Sequence, residues 1–199
     1  MTKPRPPASG SRNRVRLIGG TWRGRVLEFS DAPGLRPTPD RVRETLFNWL
    51  QPLLPASHCL DLFAGTGALG FEALSRGATS VTLVEQAPAV AAQLRANAQR
   101  LAATNAQVVE RDALSFLKQS VKRPFDIVFL DPPFHQGLVD RAIEALSRPG
   151  VLAPAAFVYV ETGTDEREPH VPPDWSLHRD KRAGQVAYRL FRVEAPLSP

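Results

Sequence analysis

From residue 58 onward, short and almost unbroken apolar runs alternate with stretches of helical periodicity. The runs are "HCLDLF", "VTLVE", "FDIVFL" and "AAFVYV". A strand covered on one face alternates apolar and polar residues, whereas a strand covered on both faces does not. Such runs, separated by helices, point to an α/β fold with an open, mostly parallel sheet and right-handed crossovers. The pattern predicts strands over 58–63, 79–85, 107–110, 125–130 and 155–161, and helices over 67–76, 87–103, 112–119 and 137–147. "WSLHRDKRAGQVAYRLFRVE" (175–194) breaks the alternation. Two strand-like runs meet at Ala183-Gly184, so an antiparallel hairpin is expected on the sheet edge.

Two segments precede this body. "RVRLIGGTWRGRVLEF" (14–29) reads as two short strands around Gly19, Gly20 and Gly24. "GLRPTPDRVRETLFNWL" (34–50) opens on a proline turn, and Val42, Leu46, Phe47 and Leu50 form the apolar face of a helix. Thr38 or Asp40 is the expected cap of that helix. The expected organisation is a disordered basic tail over 1–13, a hairpin and helix over 14–53, and the main body over 54–199.

The 199 residues are 43% apolar, enough for a substantial core. No apolar stretch approaches the roughly 18 residues that span a bilayer. "MTKPRPPASGSRNR" lacks the apolar centre of a secretory signal, so a cytoplasmic protein is expected. The single cysteine, Cys59, excludes an internal disulfide, and the four scattered histidines have no metal-ligand spacing. No metal is expected, and a monomer is the default. Residues 1–25 carry seven basic side chains and no acid, leaving −2 for the rest of a chain of net charge +5. A basic arm on a nearly neutral body suits a polyanion partner.

"DLFAGTGALGFEAL" (61–74) follows the first body strand and opens its first helix. Gly65, Gly67 and Gly70 fit G-x-G-x-x-G, which lets backbone and helix N-terminus approach a ligand. Glu85 ends the next strand, 20 residues beyond Gly65, where a carboxylate can accept from ribose hydroxyls. Asp61, four residues before Gly65, would repel a pyrophosphate but suits a cationic amino-acid group. These features favour S-adenosylmethionine over NAD. Asp112 is placed either to accept from an adenine amine or to cap the helix at "ALSFL".

The strand "FDIVFL" ends in Asp131-Pro132-Pro133-Phe134. Two prolines cannot donate ladder hydrogen bonds, so the sheet stops there and leaves an acid at the cleft mouth. The arrangement suits methyl transfer to an exocyclic amine on a flat base. Asp131 and the Pro132 carbonyl would each accept one N–H, and Phe134 would offer a stacking face. Around the site, Arg14, Arg16, Arg23 and Arg25 can meet phosphates, with Arg36, Arg41 and Arg43 extending the basic surface. Trp22 can stack on a base or pack beneath the hairpin.

Together, "RVRLIGGTWRGR", "GLRPTPDRVRETLFNWL", "DLFAGTGALGFEALSRGA", "DPPF" and "AGQVAYRLF" resemble the bacterial RsmD family over residues 14–193. The resemblance implies a Rossmann-like S-adenosylmethionine-dependent methyltransferase fold with a seven-stranded sheet. It implies methylation of a guanine N2 in 16S ribosomal RNA, at position 966. It further implies cofactor contacts from Asp61, Phe63, Ala64, Gly65, Thr66, Gly67, Glu85, Asp112 and Ala113, and catalysis at Asp131, Pro132, Pro133 and Phe134. RNA contact is implied from the arginine-rich block and the "RPTPDRVRE" block. DNA adenine-N6 methylation, an NAD-dependent oxidoreductase and a non-catalytic RNA-binding module are the competing readings.

Overall fold

The computed structural model describes residues 13–29, 38–119 and 121–194. Residues 1–12 of the expected tail, together with Arg36, lie outside the described residues, whereas Asn13, its expected last residue, already belongs to the first strand. An antiparallel hairpin comes first, β1 (Asn13–Arg16) with β2 (Val26–Phe29), in which Val15 faces Leu27. Helix α1 (Asp40–Leu50) follows and buries the predicted stripe of Val42, Leu46, Phe47 and Leu50. Its cap differs from expectation. Pro39 occupies the cap position with no side-chain cap bond, because the Thr38 hydroxyl is spent on Asp131 instead.

The body runs β3 (His58–Asp61), α2 (Ala68–Ser75), β4 (Ser80–Glu85), α3 (Pro88–Leu101), β5 (Ala106–Glu110), α4 (Ala113–Leu117), β6 (Phe125–Leu130), α5 (Leu138–Leu146) and β7 (Leu152–Gly163). A terminal hairpin, β8 (Trp175–Ala183) and β9 (Val186–Val193), completes it. The sheet order is β5-β4-β3-β6-β7-β9-β8. The first five neighbours are parallel, while β9 and β8 are antiparallel additions at the edge. The α/β architecture and hairpin stand as the sequence predicts. The hairpin turn falls one residue later than expected, at Gly184-Gln185, because Ala183 pairs with Val186. Strand β7 begins earlier than expected, at Leu152.

Chain direction reverses its progress between β3 and β6, and it is there that an open sheet leaves a crevice beyond its strand tips. One apolar layer, with Leu46, Phe47, Phe71, Leu94 and Phe129, joins the N-terminal hairpin, α1, α2 and α3 to one sheet face. A second, with Leu117, Ile143, Leu146 and Trp175, packs α4 and α5 on the other. Coverage on both faces is why Leu60, Val128 and Val158 are completely buried.

The N-terminal hairpin is fastened to α2 by polar groups as well. Fully buried Glu72 accepts from the backbone N–H of Ile18 and of Gly19, each at 2.8 Å, and from Arg76 Nε at 2.7 Å. Ser75 Oγ donates to the Gly19 carbonyl at 2.5 Å, and its own carbonyl accepts from Thr21 N–H at 2.8 Å. Gly20 has φ +74, and a Cβ there would stand 1.8 Å from the Ser75 carbonyl oxygen. Gly24 has φ +82 but open space around it. Gly20→Ala is therefore expected to cost at least about 2 kcal/mol, from left-handed strain plus backbone collision, against about 1 kcal/mol for Gly24→Ala. Urea unfolding of the two variants measures the difference, and equal costs would contradict the close docking.

Candidate active site

Asp61 is the last residue of β3, and its carboxylate reaches forward to accept the N–H of Gly70 at 3.0 Å. This bond ties the strand end to the first turn of α2. Between them the chain turns through Gly65 (φ +48) and Gly67 (φ +77), both left-handed. A Cβ at Gly67 would meet Leu94 and Phe71 at 2.7 Å, so this glycine also permits packing. Glu85, at the tip of β4, accepts from Gly65 N–H at 3.1 Å through one oxygen and from Ala87 N–H at 2.8 Å through the other. The acid that follows the glycine turn thus shapes the turn itself, and each oxygen retains a lone pair.

A cleft of about 850 Å³ lies over these strand tips. It brings together the glycine turn from Phe63 to Thr66 with Asp61, Glu85, Asp112, Ala113 and the whole Asp131–Phe134 segment. Gly67 stands just behind the lining, buried beneath the turn. Among the described residues, six carboxyl groups line the cleft, from Asp61, Glu85, Asp112, Asp131, Glu161 and Asp165, against one guanidinium, that of Arg111. Such a lining suits a cationic ligand and opposes a pyrophosphate. Asp112 adopts the helix-cap reading, its carboxylate accepting from Ser115 N–H at 2.8 Å, and that bond holds its pKa below the usual range.

The carboxyls perturb one another. Burial pushes Asp61 up to about 7 against the Gly70 hydrogen bond, with Asp131 and Glu85 adding like charge. Asp131 is pushed up to about 6 by the protein enclosing it, opposed by the Thr38 hydrogen bond. Pro132 is buried, Pro133 exposed, and Phe134 half-buried with its ring edge-on to His135 at 6.5 Å. Just beyond, His135 has φ +62. Glu166 clasps this turn, accepting from His135 N–H at 2.9 Å and from Gly163 N–H at 2.7 Å.

Three lining or neighbouring residues have no counterpart among the site residues expected from sequence. Thr38 Oγ1 donates to Asp131 Oδ2 at 3.1 Å, although sequence suggested only a helix cap. Glu161 ends the apolar run of β7 as Glu85 ends that of β4, which was the available signal. Tyr159 Oη donates to Glu161 at 2.6 Å.

Among the basic candidates, Arg14, Arg16, Arg23, Arg25 and Arg41 are exposed. Arg25 also donates to the Arg100 carbonyl at 2.6 Å. Trp22 is half-buried against the core, and its backbone N–H donates to Ser75 Oγ at 2.9 Å. Arg43 is a correction. Its side chain is completely buried, pairing with Asp40 at 2.6 Å and lying 3.8 Å from Glu72, and it donates to the carbonyls of Thr38 and Arg16. A guanidinium so enclosed is structural and offers nothing to RNA. Among the described residues, no helix is long and apolar enough to cross a membrane, and no group of His, Cys, Asp and Glu has the makings of a metal site.

Comparison with known proteins bears on this geometry. The family model "Conserved hypothetical protein 95" matches residues 15–192. The chain is 54% identical over 195 residues to ribosomal RNA small subunit methyltransferase D of Escherichia coli (strain K12), covering 98% of this chain and 96% of that one. The Haemophilus influenzae protein of the same name is 50% identical over 186 residues, 92% and 95% of the two chains. A solved structure, a putative methyltransferase yhhF from Escherichia coli, superposes with a TM-score of 0.87 at 52% identity, over 92% of this chain and all of that one. Matched along nearly its whole length in sequence and in fold, the chain belongs to the RsmD family, that of ribosomal RNA small subunit methyltransferase D.

Proposed function

We propose that the protein transfers a methyl group from S-adenosylmethionine to the exocyclic N2 amine of a guanine in 16S ribosomal RNA, the guanine at position 966. The observation that carries the reading is the meeting of the glycine turn with Asp131–Phe134 across one acidic cleft. The names borne by its relatives support the substrate class. A donor with an ammonium, a sulfonium and no phosphate fits a lining of six carboxyls and one arginine among the described residues. Asp61 and residues 63–67 would hold its amino-acid end, Glu85 its ribose, and Asp112 and Ala113 its base. When bound, it supplies a methyl group activated on positive sulfur.

The remaining chemistry falls to the chain. An aryl amine is a weak nucleophile because its lone pair is delocalised into the ring. Asp131 and the Pro132 carbonyl, each accepting one N–H, localise that pair on nitrogen and turn it toward the methyl group. As positive charge develops on nitrogen, the same oxygens stabilise it, and Asp131 takes the proton released. Phe134 stacks on the base, an interaction worth about 1–3 kcal/mol. A base that reaches this pocket must be unstacked, as in a loop or bulge. The exposed arginines Arg14, Arg16, Arg23, Arg25 and Arg41 would meet phosphates outside the acidic cleft, with Trp22 beside them. The protein would act on the small subunit or its assembly intermediates, as a monomer in the cytoplasm.

Incubation with labelled donor and either small-subunit ribosomal RNA or duplex DNA tests this. Label is expected in the RNA, as N2-methylguanosine on nucleoside mass analysis. Label in DNA as N6-methyladenine would establish the rival reaction. Asp131→Asn should lower transfer at least about 100-fold and weaken donor binding far less; an active variant would remove Asp131 from the chemistry. Replacing Arg14, Arg16 or Arg23 by Ala should reduce the salt slope of RNA binding by about 0.7–0.9 for each phosphate no longer neutralised. Arg43→Ala should instead lower the unfolding midpoint and leave that slope unchanged.

A further inference from the structure

Helix α1 begins without a side-chain cap, although a threonine stands beside its start. A threonine hydroxyl at a helix start ordinarily satisfies one of the free N–H groups there. Here the Thr38 hydroxyl turns away from that use and donates to Asp131 Oδ2 at 3.1 Å, across 93 positions of sequence. A local preference is thus set aside at the acid to which the proton transfer was assigned, a conflict characteristic of functional sites.

Thr38 is held firmly enough to direct that bond. It is 7% exposed, and its carbonyl accepts from Nε of the buried Arg43 at 3.2 Å. The proline after it restricts its backbone, and its branched side chain has few rotamers. The Pro39 carbonyl then accepts from the N–H groups of Val42 and Arg43, which starts α1. A carboxylate offers two equivalent oxygens on a rotatable bond, and an ionised one can only accept. With Oδ2 engaged by Thr38, that rotation is fixed, and Oδ1 has no hydrogen-bond donor among the described residues. The titratable groups facing Asp131 are Asp61 on β3 and Tyr159 and Glu161 on β7, none of them a cation. Against burial, the Thr38 hydrogen bond favours the charged form of Asp131.

We propose that Thr38 is a positioning residue for methyl transfer: its hydroxyl fixes Asp131 through Oδ2 and directs Oδ1 to the substrate amine. The proposal rests on the role given to Asp131 above. In the step, the amine nitrogen's pair forms the new N–C bond, the S–C pair stays on sulfur, and one N–H proton passes to Asp131 Oδ1. The Thr38 hydrogen stays on Oγ1 throughout.

Transfer kinetics of Thr38→Val, Thr38→Ala and Thr38→Ser on small-subunit ribosomal RNA test it. The first two remove the hydroxyl, with and without the branched shape, and Thr38→Ser keeps it. Thr38→Val and Thr38→Ala should lose about 10- to 100-fold in kcat, with far smaller changes in donor binding and in KM for RNA. The acid limb of their pH–rate profiles should move to higher pH, because Asp131 loses a bond that favours its charged form. Thr38→Ser should restore most of the rate and return the limb. A residue that only seated α1 would lower the unfolding midpoint and leave the limb in place. Full rate without the hydroxyl, a slow variant with an unmoved limb, or a Thr38→Ser protein as slow as Thr38→Val overturns the proposal. Carbon-13 NMR of aspartate-labelled protein, with the Asp131 signal assigned by Asp131→Asn, reads the same bond without turnover. Thr38→Val should raise the Asp131 titration midpoint, and an unmoved midpoint overturns the proposal whatever the rates. A wild type that methylates no RNA overturns the reaction assigned above, and the NMR titration then still decides whether Thr38 governs Asp131.

Discussion

Three acids crowd the tips of adjacent parallel strands, and that crowding is the constraint on which the site depends. Parallel pairing sets Asp61 opposite Phe129 and Phe129 opposite Tyr159, so Asp131 and Glu161 emerge side by side beyond that row. In water such groups would repel weakly; enclosed at the cleft, Asp131 raises the proton affinity of both Asp61 and Glu161. The stability consequence has a definite sign. Asp61 and Asp131 have folded pKa values raised to about 7 and about 6 from an ordinary 3.8. Their contribution to stability is fully present below about pH 4 and is lost as pH rises through those values. Near neutrality the site is held at some cost, one that a bound cation relieves.

What holds the acids there is the N-terminal block. Phe47 of α1 packs against Phe129 with ring centroids 5.9 Å apart, and Trp49 stacks on Tyr188 at 5.6 Å. That seating fixes the start of α1 and so places Thr38 over the Asp131 carboxylate. Glu72, held by Ile18, Gly19 and Arg76, fastens the hairpin to the helix that follows the glycine turn. Val15 and Leu17 belong to the same core as Phe71 and Leu83. The block is therefore both a platform for arginines and a wall of the site, and its basic and structural residues are interleaved along the same few turns.

The body is legible in the sequence because its signal is local. Apolar runs long enough for strands, separated by helical periodicity, lead to one architecture, and β6 spans the residues expected. The glycine turn and the proline-stopped acid are legible for the same reason, since their backbone consequences follow from the residues themselves. Thr38 misleads because a threonine before a helix looks like a cap whether or not its hydroxyl is engaged elsewhere. Arg43 misleads because nothing near it in sequence announces Glu72, 29 positions away, as its neighbour. Glu161 resembles any acid that ends a strand; only the pairing register reveals that it faces Asp131. Each of these is a polar side chain whose partner is distant in sequence.

The central claim is that the acidic cleft seats a positively charged donor, and the proton balance of binding tests it most directly. Titration calorimetry of S-adenosylmethionine in buffers of differing ionisation enthalpy, from about pH 5.5 to about pH 8, reports that balance. A cation beside Asp61 and Asp131 favours their ionised forms. Binding should therefore release protons where the two acids are still partly protonated, and affinity should weaken as pH falls through about 7 and about 6. Asp61→Asn should abolish most of the release. Binding with no proton release and the same affinity across that range would contradict the account.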